Sequence, residues 1–233
     1  RDVERSRGLG DVYKRQLYME EKMSGAFNLT ELYQGTVLHE GYPRNSVFFD
    51  QEHGKLLKET LGYQDCQLSV YMPTFRGRTD DVEGDTYVEQ VRSYLEVIDK
   101  GMQDDQILLL KLHPLVQKGL DLDNYRHIRP FPSELDTYDV LNACDVLITD
   151  YSSVMYDFAN TGRKIILFAY DLEDYMGHRG MYEDIRSYPF PIAVTPEEVL
   201  SELQEPGGGA DREFLDKYCT FDRQKATRNI CRC

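Results

Sequence analysis

Short runs of β-branched and other apolar residues alternate along the chain with longer stretches whose apolar positions recur every three or four residues. The short runs predict strands at Thr36–His39, Gln67–Tyr71, Ile107–Leu112, Tyr125–Arg129, Val146–Thr149, Ile165–Phe168 and Ile192–Val194. Several are apolar almost throughout, the pattern of strands covered on both faces. Within Asp85–Lys100, Val88, Val91, Leu95 and Ile98 return at helical spacing and define one face. Pro196 followed by Glu197 and Glu198 predicts another helix start, because Pro fits the first turn and acidic side chains suit the positive end. Strands alternating with helices imply βαβ units and a mostly parallel sheet. Pro206–Gly209 reads as a linker before a helical tail over roughly Asp211–Asn229.

Residues Arg1–Gln16 carry five basic residues and no useful period. Asp11–Gln16 is similar to translated sequencing-adapter tails, so the stretch is set aside as non-native, with a disordered native arm as the alternative. On the first reading the polypeptide has been cut on its N-terminal side.

Composition narrows the classes. With 41% apolar residues among 233, the chain has enough material for a core. Its 41 acidic against 27 basic residues, a net charge of −14, argue against gripping nucleic acid or anionic lipid with the whole surface. One basic crevice stays compatible with that balance. No apolar run approaches the ~20 residues that span a bilayer, and no signal peptide is visible. Five cysteines at uneven spacing fit a reducing cytoplasm better than a disulfide scaffold. Cys231 and Cys233 lack the partners a zinc site needs. No metal or cofactor is expected, a diphosphate-bound Mg²⁺ aside.

Four segments at strand ends carry chemistry. In Asp145–Ser153 an apolar strand ends at Thr149-Asp150, and Ser152 or Ser153 is placed to cap a helix running to about Asn160, with Gly162 at its end. In an open parallel sheet ligands bind outside the carboxyl ends of strands, and a helix start there favours phosphate. The competing reading is an ordinary Ser cap with Asp150 in a turn. In Leu108–Pro114, Lys111 and His113 close an apolar strand on the same face, where they suit a diphosphate and a leaving oxygen. A His merely hydrogen-bonded at a strand end is the plainer alternative. Arg76 and Arg78 flank Gly77 after another strand, a candidate anion clamp. Arg179 follows the acidic run Asp171–Asp174. Together Arg76, Lys111, His113, Ser152, Ser153 and Arg179 make a cationic, hydroxyl-rich edge on an acidic protein, which suits a phosphorylated ligand.

Gly41-Tyr-Pro-Arg-Asn45, Met72-Pro-Thr-Phe-Arg76, Lys111-Leu-His-Pro114, Thr149-Asp-Tyr-Ser-Ser153 with Asp157-Phe-Ala-Asn160, and Tyr170-Asp-Leu-Glu-Asp-Tyr175 with Arg179-Gly180 occur in that order. This series resembles the C-terminal half of the CDP-glycerol glycerophosphotransferases, the teichoic-acid primases and polymerases, from about Leu38 to about Ala226. The resemblance implies an α/β, Rossmann-like parallel sheet with helices on both faces, the donor-nucleotide domain of a GT-B-like enzyme. The implied division is a tail over 1–16, the remnant of an upstream segment over 17–35, the nucleotide-binding domain over 36–205, and a linker with a helical tail over 206–233. It implies transfer of glycerol phosphate from CDP-glycerol to a hydroxyl of a lipid-linked polyol-phosphate acceptor, with CMP released. The parent enzyme would then work at the cytoplasmic face of the cell membrane, with no nucleic-acid partner. Carried over by motif, His113 would contact or protonate the leaving group. Ser152, Ser153 and Lys111 would hold phosphate beside Asp150, while Arg179, and more weakly Arg76, would face the diphosphate or acceptor. The family's general base lies in a Trp-His-Gly-Thr-like block, and this sequence contains no Trp. His39 and His53 sit in the wrong context, so the chain alone is expected to bind nucleotide poorly and not turn over.

Two other readings compete. A GT-B glycosyltransferase using a nucleotide sugar would share the fold and the phosphate edge. A receiver-like signalling domain would use Asp150 as phosphoacceptor, but needs an acidic pair after its first strand, where Gly41–Asn45 stands instead.

Overall fold

The computed structural model describes residues 28, 39–74, 84–113, 116, 119–178 and 183–232. Six parallel strands form one sheet: β1 (Gln67–Met72), β2 (Gln106–Leu110), β3 (Ile128–Pro130), β4 (Val146–Thr149), β5 (Lys164–Phe168) and β6 (Ile192–Ala193). Their order is β3-β2-β1-β4-β5-β6. The chain therefore winds outward from β1 to β3, then returns to the other side of β1 and winds outward to β6.

Side-chain alternation divides the core into two layers. Leu68, Val70, Leu109, Leu147, Ile165 and Leu167 face one layer. Tyr71, Leu108, Leu110, Val146, Ile148, Ile166 and Phe168 face the other. Helices cover both. The first layer receives a 3-10 helix over Pro43–Phe49, α1 (Gln51–Thr60), α3 (Thr137–Ala143), α4 (Val154–Phe158) and α7 (Arg212–Tyr218). The second receives α2 (Gly84–Gly101) through Val91, Leu95 and Ile98, and α6 (Pro196–Gln204) through Val199 and Leu203. Right-handed crossovers put α2 opposite α3 and α4, because the connection wound toward β3 and those wound toward β6 must lie on opposite faces.

The local signals account for most boundaries. Thr195 and Glu198 form a capping box at the start of α6, with Pro196 in the first turn. Gly162 ends the 3-10 turn that follows α4 in the left-handed region, φ 67°. Three boundaries differ from expectation. β2 stops at Leu110, because its partner β3 ends at Pro130 and the chain then turns, Val116 N–H donating to His113 O. β3 begins only at Ile128, because the amides of Arg126 and His127 are taken by the Asp99 carboxylate. The tail is two short helices, α7 and α8 (Ala226–Ile230), broken around Phe221-Asp222. Of the strand expected at Thr36–His39, only His39 lies within the described residues, and it is in no strand.

A buried polar network explains the broken tail. Asn45 is fully buried, and its Nδ2 donates to Asp157 Oδ1 at 2.9 Å and to Asp222 Oδ2 at 2.9 Å. Asp157 also accepts from the Tyr138 hydroxyl at 2.9 Å and from Arg44 at 3.2 Å. Asp222 also accepts from the Tyr42 amide at 3.0 Å and Asn160 Nδ2 at 2.9 Å. The blocks Gly41–Asn45 and Asp157–Asn160 and the closing Phe221-Asp222 are thus one interlock. Gly41 is obligatory there, since a Cβ would come 2.4 Å from the Asp222 backbone. Asn45→Ala leaves two buried carboxylates short of a donor and is expected to cost about 2–3 kcal/mol of unfolding free energy by urea denaturation, whereas a loss under ~0.5 kcal/mol would contradict this account.

Candidate active site

The strand order reverses between β1 and β4, the place where open parallel sheets bind ligands beyond their carboxyl ends. Three loops leave the sheet there on neighbouring strands: Pro73–Thr74 after β1, Lys111–His113 after β2, and Asp150–Ser153 after β4.

The loops after β1 and β4 are tied together. Thr149 Oγ1 donates to Met72 O at 2.7 Å. The Asp150 side chain, 1% exposed, accepts from the Thr74 amide at 2.9 Å and from Thr74 Oγ1 at 2.7 Å. It also accepts from the Tyr151 amide at 2.6 Å. A carboxylate this deeply placed is tolerated because several N–H and O–H donors replace its water. Asp150 therefore points inward, while Ser152 beyond it is half-buried and Ser153 is exposed.

Tyr151 ties the same turn to the loop after β5. Its hydroxyl donates to Asp171 Oδ1 at 3.0 Å, and its ring stacks on Tyr175 with centroids 3.7 Å apart. Tyr175 lies on α5 (Leu172–His178). Ser153 occupies the N-cap position of α4 without making a side-chain cap bond, and it is exposed. Ser152 Oγ instead accepts from the Val154 amide at 3.4 Å. The capping expected of these two serines is thus weak: Ser153 is exposed, and the half-buried Ser152 makes only the long bond to Val154.

Lys111 and His113 lie past the end of β2, so strand alternation no longer fixes their directions. The Lys111 amide still donates to Tyr71 O at 3.0 Å. Its Nζ sits over the Phe131 ring, 4.1 Å from the centroid. Phe131 follows β3, so the ammonium leans away from the β4 turn. Burial pulls its pKa below the ordinary lysine value, opposed by the Asp136 carboxylate. His113 is exposed at the rim. Arg76 and Arg179 lie outside the described residues. Thr74, Tyr151 and Asp171 complete the arrangement, and reading each chain segment singly did not find them. Thr74 and Tyr151 sit inside the blocks Met72–Arg76 and Thr149–Ser153, and that placement was the available signal.

Further along the same rim a cavity of about 410 Å³ opens beside β5 and β6, lined by Asp171, Glu173, Asp174 and Arg186. Arg186 is paired with Glu173 and Asp184. Among the described residues no three His, Cys, Asp or Glu side chains gather as metal ligands. None of the described helices is long and apolar enough to cross a membrane.

Comparison with known proteins gives this geometry a family. The model of the CDP-glycerol:poly(glycerophosphate) glycerophosphotransferases matches residues 12–233. The chain belongs to that family. A teichoic acid poly(glycerol phosphate) polymerase of Staphylococcus epidermidis is 32% identical over 91% of this chain and 31% of its own length. A teichoic acid glycerol-phosphate transferase of Staphylococcus aureus is 30% identical over 84% of this chain and 53% of its own. A teichoic acid glycerol-phosphate primase of Bacillus subtilis is 25% identical over 98% of this chain and 59% of its own. Among solved structures, a histidine variant of the wall teichoic acid polymerase TagF superposes with a TM-score of 0.78 at 29% identity, covering 94% of this chain and 55% of that one. Another TagF variant, soaked with CDPG, gives 0.74 at 30% identity, covering 93% of this chain and 55% of that one. The chain thus spans between about a third and about three fifths of the length of these relatives. The GT-B-like, Rossmann-type reading of the sheet stands with the TagF fold.

The Lys111 environment yields a test. On raising the pH, the ε-methylene NMR signal of Lys111 is expected to titrate with a midpoint below 10.5, and Asp136→Asn should lower it further by removing the charge that favours the ammonium. A midpoint at or above that value would contradict the burial described.

Proposed function

We propose that this chain is the donor-holding half of an enzyme that transfers glycerol phosphate from CDP-glycerol to a hydroxyl of a lipid-linked acceptor in teichoic-acid-type polymer synthesis. The observation that carries the reading is the Ser152–Ser153 turn at the strand reversal, half-buried at Ser152 and exposed at Ser153, with Asp150 turned inward beneath it. In the reaction the acceptor oxygen bonds to the glycerol-bearing phosphorus, the bond from that phosphorus to the bridging oxygen breaks, and CMP departs with that oxygen. Such transfers need positioning and charge neutralisation more than covalent help.

The roles proposed are those the family resemblance implies. Ser152 and Ser153 donate to the diphosphate oxygens. Lys111 swings to the same phosphates from the β2 side. Its contact with Phe131 is worth only ~0.5–1 kcal/mol at a half-exposed site, less than a charge-assisted bond to phosphate at ~1.5–3 kcal/mol. His113 hydrogen-bonds or protonates the departing bridging oxygen. Asp150 braces the turn, and Arg179, with Arg76 more weakly, is assigned by the resemblance alone to supply positive charge for the diphosphate or the acceptor. The acceptor is a polyol-phosphate chain on a lipid at the cytoplasmic face of the membrane, which the parent enzyme reaches as a peripheral protein.

Calorimetric titration separates the donor reading from the nucleotide-sugar alternative. The chain is expected to bind CDP-glycerol weakly, at millimolar ligand, in competition with CDP, to ignore UDP-glucose and not to turn over. Ser153→Ala and His113→Ala should each weaken CDP-glycerol about 10- to 150-fold, the loss of one charge-assisted hydrogen bond at ~1.5–3 kcal/mol. Tighter binding of UDP-glucose than of CDP-glycerol would overturn the reading in favour of a glycosyltransferase.

A further inference from the structure

We propose that Thr74 is a positioning residue of the donor site, acting through Asp150 to hold the Asp150–Ser153 turn in its ligand-presenting conformation. The inference rests on the donor reading above and adds to it a residue from the far side of the strand reversal.

The turn has little hold of its own. The helix it opens, α4, runs only from Val154 to Phe158, and Ser153 supplies it no side-chain cap. The side-chain bond at the helix start, Val154 N–H to Ser152 Oγ, is long at 3.4 Å. The shorter bonds come from either side. On the β5 side, Tyr151 is fastened by Asp171 and Tyr175. On the β1 side, Asp150 Oδ1 takes the Thr74 hydroxyl at 2.7 Å, the Thr74 amide at 2.9 Å and the Tyr151 amide at 2.6 Å. One oxygen atom therefore joins the loop after β1 to the first peptide of the turn. Asp150 is 1% exposed, so water does not compete for these bonds.

The Thr74 hydroxyl is the part of this clasp that a side chain supplies. Without it Asp150 keeps its amide donors but loses its shortest bond to the β1 side. The rotation of its carboxylate is then less restricted, and the Tyr151 amide with it. Thr74 belongs to neither apolar layer. Its hydroxyl can therefore be removed without opening the core.

The test compares Thr74→Val, which keeps the branched shape, with Thr74→Ser, which keeps the hydroxyl, using backbone amide hydrogen exchange and calorimetry with CDP-glycerol. In Thr74→Val, exchange at the Tyr151–Val154 amides is expected to rise about tenfold and CDP-glycerol affinity to fall about tenfold, equivalent to ~1.4 kcal/mol. The thermal midpoint should move by less than about 3 °C, since the affected bond is local. Thr74→Ser should restore exchange and affinity. Unchanged exchange in Thr74→Val, or losses of the same size in Thr74→Ser, would overturn the proposal. If the unaltered chain fails to bind CDP-glycerol while Thr74→Val still loosens the turn, the donor reading falls and the restraint by Thr74 stands.

Discussion

A sheet that winds outward in both directions from its centre leaves two strands side by side whose following segments part company. Something must hold those ends in register if a ligand is to meet them together. Here the agents are Thr149 and Asp150, which reach across from β4 to the exit of β1. An ionised carboxylate at such depth would cost several kcal/mol if left alone. The Thr74 and Tyr151 donors offset that cost, and in doing so they fix where Ser152 and Ser153 stand. The placement of the turn is thus the consequence of an inward charge.

The second buried network, around Asn45, performs the same kind of service one layer away. It gathers the entry segment, α4 and the C-terminal tail around two carboxylates. Both networks meet at the short α4: Asp157 lies within it and Asp150 lies just ahead of it. The site-bearing turn is consequently braced at its front by the sheet and behind by the interlock. The aromatic group Tyr156, Tyr188, Phe214 and Tyr218 packs α7 against the same element.

What the sequence displayed was whatever depends on near neighbours. The apolar runs of β1, β4 and β5, the face of α2 and the capped start of α6 come from local spacing, and each stands within a residue or two of where it was read. The β3 start was hidden because Asp99, nearly thirty positions away, takes the amides of Arg126 and His127. The break in the tail is invisible locally, because nothing near Asp222 announces that its carboxylate is claimed by Tyr42 and Asn45. Asp150 and the two serines were visible as a strand-end motif. Thr74 and Tyr151 were not singled out, since their roles exist only once β1, β4 and β5 are adjacent. The lean of Lys111 toward Phe131 was equally out of reach, since it depends on β3 lying beside β2.

The account stands on the ligand meeting the rim at the strand reversal rather than elsewhere on the molecule. Chemical-shift mapping on isotopically labelled chain titrated with CDP-glycerol addresses that directly. The largest perturbations should fall on the Ser152 and Ser153 amides and on the His113 ring, with the amino edge of the sheet around Asp145 and Gly207 unmoved. Perturbations concentrated at that amino edge, with Ser152 and Ser153 silent, would contradict it.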